Sequence, residues 1–145
     1  MDNNNRLIWL GGKIVPVKEA TVNVLSPTSQ FGANVFEGIR CYWSEKDQQL
    51  YAFRLEDNYK RLKRSIKLLR MISPYTTDDL RQGLMDVVKA NDYREDIAVR
   101  QTVFIDGLGG TWNSCEPVNM FIAPIAKPFQ HIDEKEGLKC QVSSW

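Results

Sequence analysis

The chain has 145 residues, of which 43% are hydrophobic and 26% are charged, and these values indicate a globular domain rather than a disordered or fibrous protein. The 19 basic and 18 acidic side chains leave a net charge of +1, which argues against nucleic acid or an anionic membrane as the partner. The three cysteines form no CxxC motif, and no apolar run approaches the roughly 18 residues of a membrane-spanning helix. We therefore expect a cytoplasmic protein.

The N-terminal part of the sequence predicts two β-hairpins. In the first, two apolar segments flank Gly11-Gly12, which can adopt the positive φ angles of a two-residue turn. In the second, two β-prone segments flank a charged turn at residues 45–49. A short strand and a helical turn are predicted between the hairpins. In chain order, the predicted strands are Leu7–Leu10, Ile14–Val17, Thr21–Leu25, Gly38–Trp43 and Leu50–Phe53, with the helical turn within residues 28–36.

Two amphipathic helices are predicted next. Over Glu56–Met71 apolar residues recur at steps of three and four, which gives one buried stripe. Pro74 is predicted to end this helix, and Thr76 or Thr77 to cap a second helix that continues to about Ala90. The first stripe comprises Leu55, Tyr59, Leu62, Ile66 and Leu69, and the second comprises Leu80, Leu84, Val87 and Val88.

Two long β-prone segments, Ile97–Ile105 and Val118–Ala123, are separated by the loop Asp106–Pro117. The order of elements predicts an α+β fold, in which an antiparallel or mixed sheet carries two helices packed on one face.

The C-terminal residues predict a division into domains. Residues 1–124 are expected to form the small α+β domain and residues 125–136 a linker. Residues 137–145 are expected to be the first strand of a second, larger domain. The alternative is that they add an edge strand to the first sheet.

Few isolated residues indicate a reactive group. His131 is the only histidine and lies in the expected linker, so no metal site is expected. Cys115 has no neighbouring base to activate a thiol, and Gly107–Gly110 lacks the lysine and hydroxyl of a nucleotide-binding loop. Arg61 borders the apolar stripe beside Leu62 and can offer a planar pair of donors to a phosphate, although periodicity alone favours a solvated side chain.

The segment Val35–Tyr42 (VFEGIRCY) and, further on, the segment Asn58–Leu62 (NYKRL) resemble the cofactor domain of fold-type IV aminotransferases. The resemblance is most specific to branched-chain aminotransferases and extends over essentially the whole chain. It implies pyridoxal 5′-phosphate as the cofactor. Glu37 and Arg40 lie beside the implied site, where a structural role is at least as well supported as a catalytic one.

The resemblance assigns roles to four residues of this chain. Arg61 matches the arginine that binds the cofactor phosphate. Phe36 matches a wall of the substrate side-chain pocket, and Gly38 matches a position that keeps this pocket open. Arg100 matches an arginine that receives a carboxylate of the amino donor, typically glutamate.

Two residues depart from the family pattern. Phe31 and Ala98 stand where tyrosine is usual, which removes hydroxyl groups from carboxylate recognition and weakens the assignment of a branched-chain substrate. The loop Gly107–Trp112 matches a segment that, in the family, reaches the partner subunit's site, and Trp112 there would narrow the substrate pocket. The alternative is that Trp112 covers the apolar underside of its own loop.

The resemblance implies transfer of an amino group between a branched-chain or related apolar amino acid and 2-oxoglutarate, by a homodimer or larger oligomer. In the family the Schiff-base lysine follows the Ser-Ser-Trp strand, so it is expected beyond Trp145, and the isolated chain is expected to be inactive. Two alternatives stay open. One is another fold-type IV enzyme, such as a D-amino-acid or amine transaminase or an aminodeoxychorismate lyase-like protein. The other is a non-catalytic binding or scaffold domain.

Overall fold

The computed structural model describes residues 5–126, residue 137 and residues 139–142 of the chain. The strands are β1 (Leu7–Leu10), β2 (Lys13–Pro16), β3 (Asn34–Ser44), β4 (Gln49–Ala52), β5 (Ile97–Ile105) and β6 (Val118–Ala126). The helices are α1 (Pro27–Phe31), α2 (Leu55–Leu68) and α3 (Thr77–Asn91), with a 3₁₀ turn at Val17–Glu19. Both predicted hairpins, the helical turn and the two long strands are therefore confirmed.

The described strands form an antiparallel sheet in the order β2-β1-β6-β5-β3-β4. β5 lies near the centre, where it pairs with β3 on one side and with β6 on the other. The N-terminal hairpin joins the sheet through pairing of β1 with β6. The predicted α+β fold is confirmed.

Helices α2 and α3 pack on one face of the sheet, α2 against β3 and α3 against β1 and β6. The Tyr59 hydroxyl donates to the Leu80 carbonyl at 3.0 Å, and Gln101 Nε2 donates to the same carbonyl at 3.1 Å. These bonds connect both helices to β5, and each of the three residues is at most 1% exposed. Because burial disfavours the charged form of a phenol, the pKa of Tyr59 is raised.

The predicted cap of α3 is confirmed at Thr76. Thr76 Oγ1 accepts a hydrogen bond from the Asp79 N–H at 3.1 Å, and Asp79 Oδ2 accepts one from the Thr76 N–H at 2.7 Å. This reciprocal pair satisfies two backbone donors that a helix start leaves free. The Thr76 hydroxyl also holds the pKa of Asp79 below its usual value.

The predicted strand Thr21–Leu25 is wrong. Asn23 instead forms a turn, in which its Oδ1 accepts from the Leu25 N–H at 2.8 Å and its carbonyl accepts from the Ser26 N–H at 3.0 Å. Val24 and Leu25 are 76% and 54% exposed. Local bonds from an asparagine side chain compete with strand pairing, and here the turn leads directly into the Ser26 cap of α1.

Helix α2 ends at Leu68, before the predicted end at Met71, so Pro74 does not end it. Arg70 adopts a left-handed backbone conformation (φ 54°), which lets the Met71 N–H donate to the Ile66 carbonyl at 3.1 Å. This closure satisfies the last helical carbonyls. As a result Leu69, predicted to belong to the buried stripe, is 48% exposed.

Strand β6 continues to Ala126, past the expected domain boundary at residue 124. Most of the expected linker, including His131, lies outside the described residues, as do residues 138 and 143–145. Residues 139–142 form no helix or strand. The second domain therefore stays a prediction.

The buried thiol of Cys41 is expected to make stability fall on the alkaline side. Burial raises the pKa of Cys41 from its usual 9.0 to about 11, so between these values the unfolded chain loses a proton that the folded chain keeps. The resulting stabilisation is complete below pH 9 and is lost as the pH rises toward 11, by about 2–3 kcal/mol in total. Urea denaturation should show the free energy of unfolding falling from pH 9 to 10, and falling less in Cys41→Ala. Equal slopes in both proteins would disprove the assignment.

Candidate active site

The sheet face opposite α2 and α3, called here the open face, carries three of the predicted substrate residues. Side chains alternate along a strand, so on β3 residues 36 and 38 project from this face, and on β5 residues 100 and 102 do. Gly38 lies directly across from Arg100, and Phe36 lies directly across from Thr102. The antiparallel register therefore brings Phe36, Gly38 and Arg100 together from sequence positions about sixty residues apart.

A cavity of about 280 Å³ lies on this face beside Phe36 and Arg100, and we call it the open-face pocket. The guanidinium carbon of Arg100 lies 4.3 Å from the centre of the Phe36 ring, so the two side chains stack as a cation–π pair. The lining residues include neither a carboxylate nor a lysine, which leaves Arg100 as their one full charge. They are Val22, Thr28, Ser29, Asn34, Phe36, Arg100, Thr102, Phe104 and Phe121.

Gly38 leaves space on this face that the described residues do not fill. A methyl group added at Gly38 would meet no described atom within 4 Å. The φ angle of Gly38 lies outside the positive range that favours glycine, so neither its backbone nor its packing against the described residues requires glycine here. The space is available for a bound molecule.

Among the strands that the structure describes, none pairs with one edge of β3 beside these residues. β5 pairs with residues 34–41 of β3, but β4 pairs only with residues 41–44. The Arg40 carbonyl points to this second edge, where it accepts from the Phe53 N–H at 2.8 Å. Because peptide groups alternate in an antiparallel strand, the N–H and C=O groups of Phe36 and Gly38 also point to the free edge.

Arg61 projects from α2 and is held by Glu37 of β3. Arg61 Nε donates to Glu37 Oε1 at 2.7 Å and Nη2 donates to Glu37 Oε2, while Nη2 also donates to Asn58 Oδ1 at 3.1 Å. The Glu37 side chain is 5% exposed and that of Arg61 is 64% exposed. The bonds and charge of Glu37 raise the pKa of the Arg61 guanidinium. Within the described residues Nη1 has no partner, so the outer edge of the guanidinium is available to a ligand.

The Glu37–Arg61 pair was not predicted from the sequence. The signal was present, because Glu37 alternates with Ile39 and Cys41 on the buried face of β3, and a buried carboxylate requires a cation. Arg40 lies on the opposite face, 5.7 Å from the ring centre of Tyr42. Glu37 thus fixes Arg61 in place, while Arg40 has no part in that contact.

A model of the amino-transferase class IV family matches residues 34–145, which is most of the chain. The chain belongs to the class IV aminotransferases.

Similar proteins support this membership. The branched-chain-amino-acid aminotransferase of Pseudomonas aeruginosa is 32% identical over 148 residues, covering 100% of this chain and 47% of its own length. The crystal structure of the Thermoproteus uzoniensis branched-chain aminotransferase with norvaline matches 86% of this chain and 41% of its own, with 37% identity and a TM-score of 0.77. The crystal structure of the Thermobaculum terrenum branched-chain amino acid aminotransferase in its PLP form matches 86% of this chain and 41% of its own, with 34% identity and a TM-score of 0.74. The chain spans a little under half the length of these relatives.

The other three predicted site residues of this class IV family member, Phe31, Ala98 and Trp112, take no part in the Phe36–Arg100 contact. Phe31, the last residue of α1, is 51% exposed, and Trp112 is 79% exposed. The alternative that Trp112 covers its own loop is wrong, because a covering ring would be buried. Ala98 lies on β5 across from Arg40. Phe31, Trp112 and Ala98 do not line the open-face pocket.

The described residues were also compared with the requirements of a metal site and of a membrane-spanning helix. Residues 5–126, 137 and 139–142 contain no group of three histidine, cysteine or acidic side chains placed to hold a metal ion. Within the same residues, no helix has the length and apolar character needed to cross a membrane.

Proposed function

We propose that the gene product carrying this chain is a pyridoxal-phosphate-dependent aminotransferase for branched-chain or related apolar amino acids, with 2-oxoglutarate as the amino acceptor. The observation that carries this proposal is the arrangement around β3. Arg61, locked by Glu37, lies on one side of the strand, while Phe36, Gly38 and Arg100 lie on the other. The names of the similar proteins support the same reaction and substrates.

Arg61 fits the phosphate of the cofactor. The bidentate contact with Glu37 fixes the plane of the guanidinium, and the exposed edge with Nη1 keeps donors for a second anion. The two N–H donors of Nη1 lie in the plane that Glu37 fixes, so they present a positive charge to a phosphate in a fixed direction. Bound pyridoxal phosphate would supply the electron sink for transamination.

The open face fits the two kinds of substrate. Phe36 and the empty volume above Gly38 would receive an apolar side chain, and Arg100 would receive the second carboxylate of glutamate or 2-oxoglutarate. Trp112, which is exposed, would reach the substrate site of the partner subunit in a homodimer or larger oligomer, and Phe31, also exposed, would lie in the carboxylate-binding region.

We further propose that the cofactor lysine lies outside residues 1–145, in a larger domain entered through residues 137–145. Among the described residues, no lysine lines the open-face pocket. The three lysines of α2, Lys60, Lys63 and Lys67, are all exposed on its solvent side. Residues 1–145 alone would then bind substrate and cofactor weakly and be inactive.

The test compares the purified gene product with residues 1–145 alone. The gene product should transfer the amino group of L-leucine to 2-oxoglutarate, and borohydride reduction with pyridoxal phosphate should label one lysine outside residues 1–145. A stoichiometric lysine adduct within residues 1–145, together with turnover by that fragment, would contradict the missing-lysine proposal. Activity on D-amino acids, or a lyase reaction alone, would support a different fold-type IV enzyme. An intact gene product that binds no cofactor would support a non-catalytic domain.

A further inference from the structure

A second cavity lies at the end of α2 and shares no lining residue with the open-face pocket. Arg70, in its left-handed conformation, turns the chain back, and the Met71 N–H donates to the Ile66 carbonyl at 3.1 Å. Ser73 and Tyr75 of the returning chain and residues in the last two turns of α2 enclose a cavity of about 430 Å³. We call it the basic cavity.

Three cations line the basic cavity, and none of them has a counter-ion in the described part of the chain. They are Lys63, Lys67 and Arg70, and all three are exposed. Lys63 and Lys67 are four residues apart on one helix face, where two like charges disfavour the helix. No acidic residue among those described lines the cavity, and none pairs with these cations. Their long side chains are therefore free to turn toward an anion.

Capping of α2 does not account for these cations. Basic side chains near a helix C-terminus often bond to its last carbonyls. Here the backbone N–H groups of Leu69, Arg70 and Met71 take that role. Within residues 5–126, neither Lys63 nor Lys67 donates a hydrogen bond to a carbonyl. The positive charges are thus left for a ligand.

The acidic side chains nearest to the basic cavity are bound elsewhere. Burial, followed by the charges of Asp79 and Asp106, raises the pKa of Tyr75, so both carboxylates act on this region. Asp79 Oδ2 accepts from the Thr76 N–H at 2.7 Å, and Asp106 Oδ2 accepts from Asn119 Nδ2 at 3.0 Å. These contacts hold both carboxylates away from the three cations.

The basic cavity is also separate from the guanidinium that Glu37 holds. At about 100° per residue, Lys63 lies about 160° around the helix axis from Arg61, so the two side chains project from nearly opposite sides of α2. Arg61 does not line the basic cavity. An anion in this cavity would not compete with a ligand of Arg61.

We propose that the basic cavity binds the diphosphate or triphosphate group of a small molecule. Three cations around one cavity match an anion that carries several negative charges. Arg70 offers a phosphate paired donors, and the two lysines add point charges. The net charge of +1 over the whole chain favours a small anion over nucleic acid.

The experiment titrates the purified gene product with inorganic pyrophosphate in a calorimeter. Wild type should show saturable binding whose Kd rises with added sodium chloride. Lys67→Gln should raise that Kd about tenfold, as expected for one charged hydrogen bond, and Lys63→Gln/Lys67→Gln/Arg70→Gln should abolish binding. Arg64→Gln, the matched control on the same helix, should stay within about twofold of wild type. Arg61→Met should keep the Lys67-dependent binding.

Three results would overturn the proposal. One is a Kd of the triple variant within about twofold of wild type. Another is equal weakening by Arg64→Gln and Lys67→Gln, which would show only the diffuse charge of the helix. The third is tighter binding of a single-stranded oligonucleotide than of pyrophosphate, lost in Lys67→Gln, which would show a nucleic-acid surface. The urea midpoint of Lys67→Gln should not fall, because the change removes a repulsion between like charges.

Discussion

Replacing Arg61 with methionine is expected to lower the free energy of unfolding by about 1–3 kcal/mol, because it leaves the buried carboxylate of Glu37 without its cation. A fully buried pair would lose about 3–5 kcal/mol on such a change, but Arg61 is 64% exposed, and water screens part of the interaction. The double variant Glu37→Leu/Arg61→Met removes both charges. It should therefore recover most of the loss.

The measurement is a double-mutant cycle by urea denaturation, with Arg64→Met as the matched control on the same helix. Arg64 is exposed and forms no described ion pair, so its variant should stay within about 0.5 kcal/mol of wild type. A coupling between Glu37 and Arg61 that does not differ from zero would show that the ion pair does not hold Arg61 in place.

Replacing Gly38 with valine is expected to lower kcat/KM by about 100-fold while leaving stability nearly unchanged. The added side chain meets no described protein atom within 4 Å of its Cβ, and valine suits an extended strand. It would, however, fill the volume opposite Arg100 that we assign to the substrate. A loss of about 2.7 kcal/mol in transition-state binding corresponds to this factor.

Gln49→Val provides the matched control for Gly38→Val, because Gln49 is an exposed strand residue that does not line the open-face pocket. It should keep wild-type kcat/KM. Urea denaturation of both variants completes the test. Wild-type turnover in Gly38→Val would show that the open face is not part of the substrate site. A large loss of stability would show that the glycine has a structural role.

Local patterns in the sequence predicted much of the fold. The Thr76 cap and the apolar stripe of α3 depend on residues a few positions apart, so they can be recognised without the tertiary structure. The two wrong predictions, the strand Thr21–Leu25 and the end of α2, also have local causes, because the conformation of a single residue outweighs the average structural preference of its segment. Asn23 forms a turn within a segment of alternating apolar and polar residues. Arg70 adopts a left-handed backbone conformation that glycine usually occupies at helix ends.

The site could be predicted only in part. The resemblance named Phe36, Gly38, Arg61 and Arg100, but their arrangement depends on strand register and on which face each side chain occupies. The contact between Glu37 and Arg61 joins residues far apart in sequence, which no local periodicity specifies.

The most direct test of the account is the affinity of the gene product for pyridoxal phosphate with and without Arg61. Spectroscopic titration of folded wild type, Arg61→Met and Arg64→Met should show a Kd about 100-fold higher in Arg61→Met, since a phosphate would lose the charged N–H donors of Nη1. Arg64→Met should match wild type. A Kd for Arg61→Met within about twofold of wild type would contradict the assignment of Arg61 to the cofactor phosphate.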